Sequence, residues 1–239
     1  MKTAQPRHYD VTLTRIRDLG NETRHFELTF EAGATMDFIA GQFVAVLCPQ
    51  DVKAIRRAYS IASPPARRTG VDLIIKRVEG GIVTNWFWSL QEGARFRVHG
   101  PFGKFILPEP VESDLIFVAV GTGIAPFRSM IGHLLPAGFR RRIGLLFGSR
   151  YDDKIPYHKE WLDLASRYPQ FHYIPTISRP GPAWKGETGY VQTKIGKFFN
   201  QPQGKRVYIC GLNEMIQAVQ DALLEQGFQK GQIFYEKYD

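Results

Sequence analysis

Cysteine is nearly absent: the 239-residue chain carries two, Cys48 and Cys210. Two distant thiols make no disulfide framework, and no CxxC pair occurs, so a disulfide-stapled scaffold and a cysteine-ligated zinc module are excluded. The six histidines (His8, His25, His99, His133, His158, His172) form no HxH or HxxxH pair, and no metal site is expected. Long hydrophobic runs are lacking too. No stretch reaches the ~18–20 consecutive apolar residues that a membrane-spanning helix needs. Residues 1–8 lack the apolar segment of a secretory leader, so a cytoplasmic protein with no membrane span is expected. Internal repeats and low-complexity segments are missing as well.

What the chain does have is a 44% hydrophobic composition, at a length that suits two domains of roughly 100–150 residues each. Its net charge is +8, from 31 Lys and Arg against 23 Asp and Glu. Such a balance suits nucleic acid, anionic lipid, a phosphorylated cofactor or an acidic protein. The basic residues come in scattered twos and threes (Arg56-Arg57, Arg67-Arg68, Arg140-Arg141-Arg142), with no basic helix or tail. Nucleic acid is therefore the weakest of the four, and none is expected as a partner.

Two hydrophobic rhythms divide the chain. Tyr9-Val11-Leu13, Phe26-Leu28-Phe30, Phe43–Leu47, Ala58–Ala62, Val71–Ile75 and Ala94–Val98 read as short strands separated by Gly, Pro or Asn, which predicts a six-stranded antiparallel β-barrel. One helix interrupts them, over Thr84–Leu90, with Thr84 as its expected N-cap. Past Pro108-Glu109-Pro110, Leu115–Val120 is a continuous apolar run, the pattern of a strand buried on both faces. Helix and strand then alternate: Pro126–Leu135, Ile143–Phe147, Tyr157–Tyr168, Phe171–Ile177, Gly189–Phe199, Val207–Cys210, Glu214–Gln226 and Ile233–Tyr235. That order predicts a doubly wound, parallel-sheet domain, with the boundary near residues 107–114.

Three segments carry chemistry. Gly121-Thr122-Gly123-Ile124-Ala125-Pro126 follows the buried strand and opens a helix. Its glycines would let a pyrophosphate approach the helix N-terminus, and an ordinary tight strand–helix turn reads equally well. Arg57 and Tyr59, two apart on a strand, share a face. They could grip a phosphate and stack on a planar ring, or form a cross-strand surface pair. Gly80-Gly81-Ile82-Val83-Thr84-Asn85 is a second glycine turn into a helix, a capped start or a second anion site.

Taken together and in order, these segments resemble the plant-type ferredoxin–NADP reductase family. Arg57-Ala58-Tyr59-Ser60 is similar to its R-x-Y-[ST] flavin motif and Gly81–Asn85 to its second flavin segment. Gly121–Arg128 is similar to its nucleotide turn, Cys210-Gly211-Leu212 to its C-G-x motif and Glu236-Lys237-Tyr238 to its Glu-x-Tyr ending. The resemblance covers nearly the whole chain. It implies an FAD-binding barrel over residues 1–108 and an NADP(H)-binding Rossmann-like domain over 109–239. The activity implied is that of a ferredoxin/flavodoxin–NADP(+) reductase, which moves hydride between NADP(H) and flavin and single electrons to or from ferredoxin or flavodoxin. An NADH-dependent flavoprotein reductase serving an oxygenase, a cytochrome or free flavin is the alternative. A regulatory nucleotide-binding module without turnover would not need Arg57, Tyr59, Ser60, Cys210 and Glu236 all intact.

The resemblance also assigns roles. Arg57 and the backbone of Gly81, Ile82, Val83 and Thr84 would hold the FAD pyrophosphate. Within the Arg57-Ala58-Tyr59-Ser60 segment, Tyr59 would stack on the isoalloxazine and Ser60 would lie near flavin N5. Gly121, Thr122, Gly123 and Pro126 would cradle the nucleotide, and Cys210 would lie beside nicotinamide C4. Glu236 would orient or relay protons near Ser60, and Tyr238, followed here by Asp239, would stack on the flavin ring. Ser178, Arg179 and Tyr190 match the grip on a 2′-phosphate, and Thr188 stands where plastid members place a lysine; Arg150 or Lys185 could supply that charge. No iron–sulfur cysteine cluster is present, so electrons would pass to a separate acidic carrier. Arg56, Arg67, Arg68 and Lys104 would steer it. A monomer is expected.

Overall fold

The computed structural model describes residues 5–49 and 54–238. The chain divides into two compact units, Met1–Leu107 with Ala125–Ala137, and Pro108–Ile124 with Gly138–Asp239.

The first unit holds six strands: β1 (Arg7–Gly20), β2 (Thr23–Phe30), β3 (Phe43–Cys48), β4 (Ile55–Ser60), β5 (Gly70–Lys76) and β6 (Arg95–Phe102). They pair antiparallel in the order β4-β3-β6-β1-β2-β5. The alternation expected along β1 is realised, since Tyr9, Val11 and Leu13 are buried between more exposed neighbours. Beyond the two edge strands the chain is drawn together, where Ile61 N donates to Gln42 O at 2.9 Å and Ala62 N to Asp72 O at 2.8 Å. The periodicity predicts a six-stranded antiparallel barrel, and the six strands form an antiparallel half-barrel sheet.

Helix α1 (Ile82–Ser89) turns Val83 and Phe87 into the core beside Phe26 and Phe96. Burying a side chain like Phe87 contributes about 1.5–3 kcal/mol. Thr84 is not the N-cap: that position belongs to Gly81, and no side chain caps the helix. The Thr84 hydroxyl instead donates to Gly81 O at 3.2 Å, within the helix's first turn. A cap at Gly81 costs less here because Gly80 turns the chain at φ +71°.

The second unit is built on a parallel sheet of β7 (Asp114–Val120), β8 (Ile143–Ser149), β9 (Phe171–Ile177), β10 (Glu187–Thr188), β11 (Lys205–Gly211) and β12 (Ile233–Lys237), in the order β10-β9-β8-β7-β11-β12. Leu115–Ala119 of β7 are all buried, as a central strand requires. The chain moves outward from β7 to β10, then returns to β11 on the other side. The switch point therefore lies between β7 and β11, and in such sheets ligands bind outside the carboxyl ends of the strands there.

The helices are α2 (Ile124–Leu134), α3 (His158–Arg167), α4 (Ile195–Phe198) and α5 (Asn213–Glu225). By its packing, α2 from Ala125 onward belongs with the first unit. A single helix expected over 189–199 is instead a short 3-10 turn, Val191–Lys194, leading into the one-turn α4. The Thr193 hydroxyl donates back to Tyr190 O at 2.7 Å, a local bond that competes with regular helix, and Gly196 weakens α4 itself. Strand β10 was not visible in the sequence: two residues carry no period.

Candidate functional site

In the first unit, β4 carries Arg57, Ala58, Tyr59 and Ser60, and its pairing on β3 sets them at Val46, Ala45, Val44 and Phe43. Arg57 and Ala58 are exposed, whereas Ser60 is buried at 5% exposure. Arg57 donates to Arg56 O at 3.2 Å, and among the described residues no carboxylate pairs with its guanidinium. Tyr59 rests edge-on against Phe87 of α1, ring centroids 5.6 Å apart, so the two flavin-like segments are packed together. Burial raises the Tyr59 phenol to about 12 against the opposing pull of Arg57. The ring is therefore neutral at physiological pH and suited to stacking.

The start of α1 fits an anion. Its N-cap Gly81 has no side-chain cap and its first turn holds no acid, so the leading N–H groups meet neither a capping oxygen nor a repelling charge. A Cβ on Gly80 would stand in open space, and one on Gly81 would lie 2.6 Å from the Thr84 hydroxyl. Ile82 is 56% exposed, whereas the Val83 side chain is in the core, leaving only its backbone to a ligand. An exposed guanidinium, an uncapped helix start and a half-buried phenol are the donor set a flavin dinucleotide requires.

In the second unit, the Gly121-Thr122-Gly123 turn leaves β7 as a single 3-10 turn. Gly121 has φ +55° with nothing within 4 Å of a built Cβ, an open cradle above the backbone. Gly123 is the opposite case. A Cβ there would fall on the Cys210 carbonyl group, 2.6 Å from its carbon, and 3.0 Å from Gly211 N. Pro126 is buried in the first turn of α2, so its side chain is not exposed to a nucleotide; it supplies a preset φ where a helix needs no N–H.

Three of the four residues expected near the reacting atoms gather at the carboxyl end of this sheet. Cys210 on β11 is in register with Glu236 on β12, and Tyr238 N donates to Gly211 O at 3.0 Å. Burial pushes the Cys210 thiol well above its ordinary range; the Glu236 carboxylate adds to this, and a hydrogen bond with Tyr238 opposes it. Cys210 is thus a neutral thiol. Ser60, the fourth, lies in the first unit.

The residues expected at a 2′-phosphate are also brought together. Ser178 N donates to Ser149 O at 3.0 Å and Arg179 N to Arg150 O at 2.9 Å, which extends the β8–β9 ladder past its ends. Arg150 and Arg179 thereby emerge side by side, both exposed, with no carboxylate partner among the described residues. Tyr190 lies just past β10 and is 67% exposed, and Lys185 is exposed. Lys194 and Lys197 are occupied by Glu187.

The expected steering patch is reduced. Arg67 pairs with Asp72 and Glu27, and Arg68 with Asp37 at 2.7 Å. Arg56 and Lys104 are both exposed. Arg128, which ends the nucleotide-turn motif, donates to Ala62 O at 3.1 Å and meets Asp72 at 3.2 Å, contacts with no signal in the sequence beyond the motif itself.

Two family models match the chain: an oxidoreductase FAD-binding domain over residues 10–106 and an oxidoreductase NAD-binding domain over 117–221. The chain is 36% identical over 248 residues to ferredoxin–NADP reductase B of Sorangium cellulosum, covering 100% of both proteins. It is 34% identical over 207 residues to the reductase component DmpP of phenol 2-monooxygenase from a Pseudomonas species, covering 85% of this chain but 58% of that protein. Among solved structures it resembles a ferredoxin NADP+ reductase from Neisseria gonorrhoeae with bound FAD and NADP, with TM-score 0.83 and 20% identity over 98% of this chain and 99% of that one. A ferredoxin reductase in carbazole 1,9a-dioxygenase superposes with TM-score 0.86 and 18% identity, over 100% and 71% of the two chains. No helix among the described residues is long and apolar enough to cross a membrane.

Proposed function

Because the chain belongs to the ferredoxin reductase family of FAD- and NAD-binding oxidoreductases, we propose that it is a ferredoxin- or flavodoxin–NADP(+) reductase, with residues 1–108 holding FAD and 109–239 holding NADP(H). The single observation that carries the nucleotide choice is the juxtaposition of Arg150 and Arg179, two exposed arginines whose backbones are paired by the Ser149–Ser178 and Arg150–Arg179 bonds. Arginine pairs bidentately with phosphate, and two at one strand end suit the extra phosphate of NADP(H). Ser178 and Tyr190 would complete that grip.

When bound, the flavin supplies the exchange of a hydride for two single electrons, and the protein supplies position and electrostatics. Arg57 and the N–H groups at the start of α1 would neutralise its pyrophosphate. Tyr59, held neutral and braced by Phe87, would offer its face to the ring system. Ser60 would present its hydroxyl at N5. The Gly121–Gly123 turn would receive the nucleotide pyrophosphate, its closeness to β11 fixed by the absent side chain of Gly123. Cys210 would meet the nicotinamide as a neutral, apolar surface, with Glu236 beside it to hold or move a proton. Tyr238 would pack over the flavin ring.

The partner we propose is an acidic one-electron carrier, met by Arg56 and Lys104. A cytoplasmic monomer fits this role. A second reading, an NADH-dependent reductase component serving an oxygenase, is favoured by Thr188 standing where a phosphate-gripping lysine would be, and by the kinship with DmpP. Steady-state reduction of ferredoxin and of flavodoxin, with NADPH and NADH side by side, separates the two. A higher kcat/KM with NADPH is expected; a higher one with NADH overturns the nucleotide assignment and leaves the flavin chemistry standing.

A further inference from the structure

Two exposed arginines grip one phosphate only where the distance between them is held. Backbone pairing brings Arg150 and Arg179 level: Ser178 N donates to Ser149 O at 3.0 Å and Arg179 N to Arg150 O at 2.9 Å. Strands β8 and β9, however, have already ended at Ser149 and Ile177. Immediately beyond the arginines the two stretches of chain part. One enters the 3-10 turn Asp152–Lys154, and the other runs through Pro180-Gly181-Pro182 toward β10. The end of a ladder frays unless something beyond it holds the two sides together.

A carboxylate supplies that hold. Gly181 N donates to Asp152 Oδ1 at 2.9 Å. A Cβ on Gly181 would stand 3.4 Å from Oδ1 and from Oδ2, so both oxygens lie against the glycine. Proline has no N–H, which leaves residues 178–182 with three backbone donors, those of Ser178, Arg179 and Gly181. All three go to the 149–152 segment. That segment is braced in turn by the Ser149 hydroxyl, which donates to Tyr151 O at 3.1 Å. Farther along the other side, Trp184 N donates to Gly181 O at 3.2 Å and the Trp184 indole N–H to Glu187 O at 2.9 Å, tying the same loop to β10 just ahead of Tyr190.

Asp152 has the wrong sign for a phosphate site, yet it stands two positions from Arg150. Its partner explains this. An ionised acceptor makes a hydrogen bond roughly twice as strong as a neutral one does, and here that acceptor is committed to a backbone N–H. Arg150 and Arg179 meet no carboxylate among the described residues and stay open to a ligand.

Resting on the reading that Arg150 and Arg179 receive the 2′-phosphate, we propose that Asp152 is a specificity-determining positioning residue for NADP(H). Bound to the Gly181 N–H, it straps the two arginine-bearing chain ends at one spacing, so that a single phosphate meets both. It acts through the arginines and touches no nucleotide itself.

The test compares wild type, Asp152→Asn, Asp152→Ala and Arg179→Ala in the FAD-loaded protein. Binding of 2′,5′-ADP and of 5′-ADP is titrated by calorimetry, without turnover, and KM and kcat are measured for NADPH and NADH with ferricyanide as acceptor. Asparagine keeps an oxygen for the Gly181 N–H and loses the charge, whereas alanine loses both. Asp152→Ala is expected to weaken 2′,5′-ADP at least fivefold relative to 5′-ADP. It should raise KM for NADPH by a like factor relative to NADH, the change falling on KM and not on kcat. Asp152→Asn should lie between alanine and wild type. Wild-type preference for 2′,5′-ADP in Asp152→Ala overturns the proposal, and so does an equal loss for both nucleotides, which a merely structural role gives. Tighter 2′,5′-ADP binding in both Asp152 variants also overturns it, since that marks a repelling charge and no strap. Arg179→Ala reports on the underlying reading. If it leaves the preference for 2′,5′-ADP unchanged, the 2′-phosphate site itself is misplaced; a loss in Arg179→Ala with none in Asp152→Ala removes the strap alone.

Discussion

The two glycines of the nucleotide turn should fail in opposite ways when given a methyl group. Gly121→Ala places its Cβ in open space, so its cost is the left-handed φ of +55° alone. That is about 1–2 kcal/mol for a residue with a Cβ, or a fall in Tm of a few degrees for a chain of this size. The same methyl stands in the cradle where a pyrophosphate is expected, and it cannot move aside. Gly123→Ala carries no φ penalty but drives its Cβ to 2.6 Å from the Cys210 carbonyl carbon, about 0.8 Å inside the 3.4 Å at which ordinary contact begins. Strand β11 or the turn must shift, and overpacking of this kind costs about 1–3 kcal/mol. The cost falls on a central strand that pairs on both sides, β7 and β12, so relaxation is hard.

Calorimetry and NADP+ titration, performed on both variants, separate these effects. Gly121→Ala should keep a Tm within a few degrees of wild type and lose nucleotide affinity at least tenfold. Gly123→Ala should show the larger loss of Tm, and with it a displaced Cys210. Wild-type nucleotide affinity in Gly121→Ala would refute the placement of the phosphate over this turn. An unchanged Tm in Gly123→Ala would refute the close approach of turn and strand.

Three further outcomes are expected. Arg57→Ala should purify with less FAD and bind added FAD more weakly, since its exposed guanidinium has no other carboxylate partner among the described residues; full flavin content at unchanged affinity would contradict this. Arg179→Ala should raise KM for NADPH while leaving that for NADH nearly unchanged, and equal effects on both would remove Arg179 from the 2′-phosphate site. His25 is held neutral, its pKa driven from 6.5 to about 2 by burial and then by Arg17, Arg128, Arg67 and Arg15. The unfolded chain takes up a proton below pH 6.5 and the folded one does not, so stability falls with acidification, by about 2 kcal/mol at pH 5 from this group. Urea unfolding of His25→Gln at pH 7.5 and pH 5 should show that dependence reduced, and an unaltered slope would mean that other groups set it.

The parts of the fold that the sequence made legible are those with a strong period or none. Tyr9-Val11-Leu13 alternates because one face of β1 is wet, and Leu115–Val120 does not alternate because both faces of β7 are buried. Where a local bond decides, the pattern misleads. Gly189–Phe199 has the composition of a helix, yet the Thr193 hydroxyl bonding to Tyr190 O makes a 3-10 turn of its first half. Thr84 has the chemistry of a cap, yet the chain has already turned at Gly80, and the hydroxyl serves inside the helix.

The site divides along the same line. Arg57, Tyr59, the two glycine turns and Cys210 were legible because a phosphate or a planar ring needs those residue types at short fixed spacing. The charges behind them were not. Val71-Asp72-Leu73-Ile74-Ile75 reads as a strand whose one acid should face water, but Asp72 is buried at 5% exposure because Arg67, Arg128, Ser63 and His25 reach it from separate stretches of chain. No window of neighbouring residues contains that group. The same fact changes what the net charge of +8 means. Arg67, Arg68 and Arg128 count toward the total but are committed to Asp72, Glu27 and Asp37. The positive charge left to meet phosphates and partners is on other solvent-facing side chains, Arg56, Arg57, Lys104, Arg150 and Arg179 among them. A salt-dependent rate with an acidic carrier should accordingly respond to Arg56 and Lys104 and be indifferent to Arg68.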